Sequence, residues 1–217
     1  MTERRKTISR AALAALLAAI MILTALAGPA CSRGYRVLKE TEIRKAAESN
    51  SYSTDMRRVV TEAALSLVGE ITYFWGGKSY CVGRDENWGT PREVTSPGHS
   101  TSGQTIPFGL DCSGFVSWCF MQTGGGTAWM LENVGDGTWN QWERSRPIER
   151  AELQPGDIVF AREYPGAKGN HVGIVVGFLK NGEPLIAHCS PSENGVVVTT
   201  CADAFHYYRT YDFLDAE

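Results

Sequence analysis

The chemical question of this chain centres on one cysteine. Cys112 stands in GLDCSGFVSWCF, residues 109–120, between an aspartate and a Ser-Gly pair, where a strongly apolar run begins. A thiol is a useful nucleophile at neutral pH only when its thiolate is stabilised, and the free N–H groups of a helix's first turn supply the partial positive charge that does so. The stretch from Asp111 or Cys112 to about Thr123 reads as such a helix, apolar almost all round and stopped by Gly124, Gly125 and Gly126. Cys112 therefore falls at a helix start and Cys119 in its middle. Cysteines are often buried and inert, and Cys119 is read that way.

A nucleophilic cysteine needs a base, and often a third group to orient the base. The chain has four histidines. His99 lies in an irregular segment and His206 just before the last strand, so both read as surface residues. His171 opens a strand after the loop 165–170, and His188 ends the neighbouring one. Taken singly, each reads as a hydrogen-bonded structural histidine; together they make the order cysteine, histidine, polar residue. A hairpin turn centred on Asn181-Gly182 sets His188 opposite Val175. That puts it on the face of His171 but roughly 13 Å away along the strand. Only a bulge or a tighter pairing brings the two rings together.

Other elements must position these groups. Upstream, Thr54 or Asp55 caps a helix with Met56, Val59, Val60, Ala63, Ala64 and Leu67 on one face, ended by Gly69. After Gly76-Gly77 come about thirty residues rich in Gly, Ser, Thr and Pro, a length of irregular chain that is usually functional or mobile. Beyond the Pro155-Gly156-Asp157 turn the period changes, and 158–161, 171–178, 184–189 and 195–200 read as strands, with 207–213 as a further one. Helices first and antiparallel strands afterwards indicate an α+β domain.

The N-terminus is different in kind. MTERRKTISR is basic, and the next charge after it is Arg33, the layout of an export signal. Ala25-Leu26-Ala27 offers a cleavage site, Ala30-Cys31 an imperfect lipoprotein-type site, and the apolar run of roughly 18 residues approaches the span of a bilayer. Residues 1–31 thus read as a signal peptide or N-terminal membrane anchor, 32–53 as a linker or lead-in helix, and 54–217 as the folded domain, expected to work outside the cytoplasm. The net charge is −3, and loss of residues 1–27 removes four basic residues and one acidic one, leaving −6. With no Lys/Arg stripe, nucleic acid is not an expected partner. Six cysteines in an exported chain invite disulfides. Cys112 and Cys119 lie about 10 Å apart on one helix, too far to bridge; one bridge among Cys81, Cys189 and Cys201 stays open, with free buried thiols expected at Cys119 and Cys189. No CxxC or HxxxH spacing points to a metal, and no cofactor is expected.

Five ordered motifs carry a resemblance: YFWGG (73–77), PFGLDCSGFVSW (107–118), LQPGDIVF (153–160), HVGIVVG (171–177) and IAHCS (186–190). Together they resemble the NlpC-type cell-wall endopeptidases, a papain-like cysteine peptidase family, over roughly residues 59–213. The resemblance implies a papain-like fold, with a central nucleophile-bearing helix packed on a mostly antiparallel sheet. It implies Cys112 as nucleophile, His171 as base and His188 as the residue orienting the base. It implies Tyr73 lining the cleft near the scissile carbonyl, and Asp111 and Ser113 binding a substrate ammonium, with plain helix capping as the alternative role of the last two. The substrate class it implies is peptidoglycan stem peptides, cut at a bond of the D-glutamyl-diamino acid type. Compact members have a far shorter connection between WGG and DCSG. The insertion 78–106, with Trp88, Arg92 and His99, is therefore expected to wall or cover the cleft. An amidase or acyltransferase on the same scaffold and a catalytically silent wall-binding protein stay open as alternatives.

Overall fold

A computed structural model describes residues 35–166, 169–200 and 204–216. The N-terminal segment read as an export signal, Cys31 included, lies outside the described residues, as does Cys201. Among the described residues no helix is long and apolar enough to cross a membrane.

The architecture is α+β. Helices α1 (Glu40–Ala47) and α2 (Asp55–Ser66) come first, followed by the two-stranded ribbon β1 (Pro91–Glu93) and β2 (Thr105–Pro107). Helix α3 (Cys112–Met121) precedes two helices that hydrophobic periodicity does not announce, α4 (Gly126–Asn133) and α5 (Thr138–Arg144). Strands β3 (Arg146–Pro147), β4 (Ile158–Phe160), β5 (Val172–Phe178), β6 (Pro184–Ser190), β7 (Gly195–Thr200) and β8 (Tyr207–Thr210) form one antiparallel sheet in the order β3-β8-β4-β5-β6-β7. The final stretch predicted as strand ends at Thr210, and Asp212–Asp215 turns into a 3₁₀ helix.

Helix α3 is the centre of the molecule. All ten of its residues are buried, as an apolar sequence on every face requires. It packs against α2, β5 and β6. Helix α2 is capped by Thr54, whose side chain accepts from the Arg57 N–H. Of its predicted face Val60, Ala63, Ala64 and Leu67 are buried and Met56 and Val59 half-buried, while Arg57 and Thr61 are buried as well. Arg57 is a charged residue that an apolar pattern cannot include. Its guanidinium reaches Asp157 at 2.9 Å and Asp215 at 2.8 Å, tying the helix to the Pro-Gly-Asp turn and to the C-terminal 3₁₀ helix. Ahead of α1, residues 36–38 lie along β7 through Leu38 N–H to Val198 O and Thr200 N–H to Arg36 O.

The hairpin β5/β6 contains a bulge, one of the two ways in which the histidines could be brought together. Phe178 pairs with Pro184 and Gly177 with Leu185, but Val175 pairs with Ile186 and Ile174 with Ala187, so Val176 is the extra residue. Asn50 donates to the Val176 carbonyl at 2.9 Å, satisfying the group the bulge leaves out. Continued past Ile174, this register carries His188 from opposite Val175 to opposite Gly173, two residues from His171.

Candidate active site

Cys112 is the first residue of α3, and Asp111 is its N-cap: the carboxylate accepts from the Gly114 N–H at 2.7 Å. A Cβ on Gly114 would lie 2.1 Å from the Gly77 carbonyl, and one on Gly77 2.2 Å from the Gly109 carbonyl, which is why glycine stands at both positions. The helix start is thereby clamped to the YFWGG segment. The Cys112 sulfur lies 4.0 Å from the Asn170 carbonyl, and the Val172 N–H is near enough to favour its thiolate, so it abuts the chain on both sides of His171.

His171 Nε2 is 2.8 Å from His188 Nδ1, and His188 Nε2 is 3.1 Å from Thr199 Oγ1. His171 Nδ1 has no hydrogen-bond partner among the described residues. Phe205 stacks on the His171 ring and meets His188 edge-on, and Tyr35 closes on His188 from another direction. Asn170 holds the start of β5: its amide oxygen accepts from the N–H groups of Arg162 and His171, each at 2.9 Å, and its amide nitrogen donates to the Arg162 carbonyl at 2.7 Å. Thr199, Asn170, Phe205 and Tyr35 were not visible as site residues in the sequence. Thr199 lies on the face of His188, diagonal to it in the β6/β7 register, a relation that appears only once that register is known.

These groups line a cleft of about 370 Å³, whose walls include Tyr73, Trp75, His99, Cys112, His171 and His188. The structure therefore brings Cys112, His171, His188 and Tyr73 together. Asp111 and Ser113 are not in the cleft lining. The Lys78 ammonium sits 2.6 and 2.7 Å from the two Asp111 oxygens and 2.8 Å from Ser113 Oγ, and Ser113 in turn donates to Asp111. The place at which the resemblance implies a substrate ammonium is filled by this chain's own.

The insertion contributes unequally. Trp88 packs edge-on against Trp118 in the core, and the Arg92 guanidinium covers Phe108. His99, read from the sequence as a surface residue, instead stacks on Trp75 and leans on Tyr73 inside the cleft.

Electrostatics overturn the idea of an acidic thiol. Burial pushes the Cys112 thiol up to about 12, and the Asp111 carboxylate pushes the same way. The N–H groups of Val172 and Ser113 and the Lys78 charge favour the thiolate, the effect expected of a helix start, but they do not offset desolvation. Burial lowers His171 to about 4, with Asp111 opposing, and lowers His188 well below the ordinary histidine range, with His171 adding to the effect. The resting pair is thus a neutral thiol and a neutral imidazole. Cys119 and Cys189 are buried free thiols, and Cys81 is also unbridged. No cluster suited to a metal ion occurs among the described residues.

The family description headed NlpC/P60 matches residues 70–214. Over 97 residues the chain is 34% identical to the murein DD-endopeptidase/murein LD-carboxypeptidase MepS of Escherichia coli K12, covering 45% of this chain and 44% of that protein. Over 109 residues it is 33% identical to a probable endopeptidase, an NlpC homolog, of Haemophilus influenzae, covering 50% of each. The chain spans about half the length of the curated relatives it matches. Among solved structures, that of the peptidoglycan hydrolase RipB of Mycobacterium tuberculosis aligns with 93% of this chain and 85% of its own at 23% identity, with a TM-score of 0.48.

Proposed function

Because this chain belongs to the NlpC/P60 family, we propose that it is an exported cysteine endopeptidase hydrolysing amide bonds in peptidoglycan stem peptides, of the D-glutamyl-diamino acid type. The observation that carries the reading is the set of contacts around His171: the Cys112 sulfur against its flanking backbone and the His188 ring at 2.8 Å from its Nε2.

In this reading Cys112 is the nucleophile, His171 the general base and His188 the residue that orients it. For Nδ1 of His171 to accept the thiol proton, its own proton must sit on Nε2 and be donated to His188 Nδ1. The proton of His188 then sits on Nε2 and is donated to Thr199. Since thiol and imidazole are both neutral at rest, the proton moves as the sulfur attacks the carbonyl carbon. The oxyanion so formed is held by the Cys112 backbone N–H and by the Tyr73 hydroxyl, which burial keeps protonated. The imidazolium gives its proton to the leaving amine, and a thioester remains on Cys112. Water, losing a proton to His171, cleaves the thioester and returns thiol and carboxylate. Asp111 and Ser113 serve the site by holding the helix start with Lys78; a direct contact with substrate requires Lys78 to yield its place.

The test is digestion of purified muropeptides with fragment masses determined. Cys112→Ala is expected to keep its melting temperature and lose cleavage. Cleavage at the wild-type rate by that variant, or loss of wild-type activity in EDTA alone, contradicts the reading.

A further inference from the structure

From the geometry of the inserted ribbon we infer that His99 is a substrate-binding residue, a hydrogen-bond donor to a carbonyl or carboxylate oxygen of the peptide in the cleft. The inference rests on the peptidase reading above and concerns a residue to which that mechanism gives no part.

The inserted segment does not hang loosely over the cleft. Beyond β1 and β2 the ladder continues through Val94 N–H to Gln104 O and Gly103 N–H to Val94 O. The tip is closed by Ser102, whose hydroxyl donates to the Ser96 carbonyl at 2.7 Å and accepts the His99 N–H at 3.1 Å. It is docked on the YFWGG segment twice. Trp75 Nε1 donates to the Pro97 carbonyl at 2.9 Å. Gly76 has φ +79°, and a Cβ there would lie 2.0 Å from Ser96 Oγ, so the tip comes down where only glycine leaves room.

The result of this docking is an aromatic wall beside Cys112. The His99 ring stacks on Trp75, with centroids 5.3 Å apart and planes at 20°, and lies 5.7 Å from the Tyr73 ring. Its tautomer follows from its neighbours. Nδ1 receives the Thr101 N–H at 3.2 Å and lies 2.8 Å from the Thr101 hydroxyl, which can rotate to donate to it as well; a proton on Nδ1 would face that N–H, so in the neutral ring Nδ1 carries the lone pair and Nε2 the proton. No acceptor among the described residues lies within hydrogen-bonding distance of that Nε2–H. A ring held by stacking and by its far nitrogen, in the same cleft as the nucleophile, presents a preorganised donor to a ligand. Peptide substrates offer carbonyl oxygens along their whole length, and stem peptides carry carboxylates as well.

His99→Phe keeps the stack and removes the donor, whereas His99→Gln keeps an N–H donor. With a defined muropeptide, the Phe variant is expected to raise KM about tenfold with kcat largely retained, the loss typical of one hydrogen bond to substrate, and the Gln variant to fall between it and wild type. Alkylation of Cys112 by iodoacetamide at an unchanged rate shows that the thiol has not been disturbed. Equal KM values in all three proteins, or equal weakening in the Phe and Gln variants, overturn the inference while leaving the peptidase reading in place. Absence of cleavage by the wild-type protein overturns both.

Discussion

Thr199 touches no substrate, yet the hydrogen-bond chain makes it the residue that decides where the His171 proton sits. Thr199→Val keeps the shape and the strand preference of the residue in β7 and removes the acceptor for His188 Nε2–H. His188 is 1% exposed and Thr199 is fully buried, so no water replaces the lost partner. A buried donor left unsatisfied costs about 1–3 kcal/mol. The pair escapes that cost by moving both protons: His188 then carries its proton on Nδ1 and donates to His171 Nε2, and His171 carries its own on Nδ1, where it can no longer accept one from the thiol. The penalty therefore reappears as a population of unreactive tautomer, and kcat should fall about 5- to 140-fold at one factor of ten per 1.4 kcal/mol. KM should not change. Steady-state kinetics on a defined muropeptide measures both constants, nitrogen NMR of the imidazoles reads the tautomers, and Thr199→Ser should keep most of the rate. A Thr199→Val protein with kcat within twofold of wild type and Nδ1 of His171 still unprotonated refutes the reasoning.

Two further outcomes follow from the same geometry. His171 titrates at about 4 in the folded protein and near 6.5 unfolded, so between these values the unfolded chain binds more protons. Stability should therefore be full above about pH 6.5 and fall as the pH drops toward 4, by at most about 3 kcal/mol from this residue; kcat/KM should lose its acidic limb near pH 4 and stay level through neutrality. Urea melts and rate profiles over pH 3.5 to 9 measure both, and a stability that is flat across that acid window contradicts the buried, neutral histidine pair. Gly173 lies between the two histidines, and a Cβ there would sit 2.5 Å from Ile186 Cγ2 and 3.1 Å from His188 Cβ. Gly173→Ala should cost about 1–3 kcal/mol through overpacking, lowering the melting temperature by several degrees, and should reduce kcat by displacing β6 under His188. Wild-type melting and turnover in that variant contradict the placement of the two strands.

What could be read in the sequence, and what could not, has a physical pattern. The α3 helix announced itself because its residues are apolar on every face and a glycine run ends it, and Cys112 fell at its start as its neighbours required. The histidines were readable only as a condition: turn chemistry at Asn181-Gly182 left them too far apart, so either a bulge or a tighter pairing had to exist, and the structure has a bulge at Val176. Periodicity missed α4 and α5, because their packing relies on polar links such as Gln141 to the Ser113 carbonyl at 2.9 Å and on the Tyr211 hydroxyl reaching the Val134 carbonyl. Arg57 shows the same limit, since a buried ion-paired arginine has no signature in an apolar pattern. His99 was expected in a segment that walls the cleft, but its own side chain was read as a surface residue because an irregular segment gives no period from which to say which way its residues point. The acid strength of Cys112 was misjudged for a different reason: helix position is visible in a sequence, but the depth of burial that outweighs it is not.

The central claim is that Cys112 Sγ attacks the substrate carbonyl with His171 taking its proton. The most direct measurement is the intact mass of the protein quenched in acid during turnover of a defined muropeptide. The account predicts an added acyl fragment, mapped to Cys112 by peptide digestion, and no such adduct in His171→Ala. Products that accumulate while Cys112 stays unmodified, or an adduct that forms at the wild-type rate without His171, contradict it.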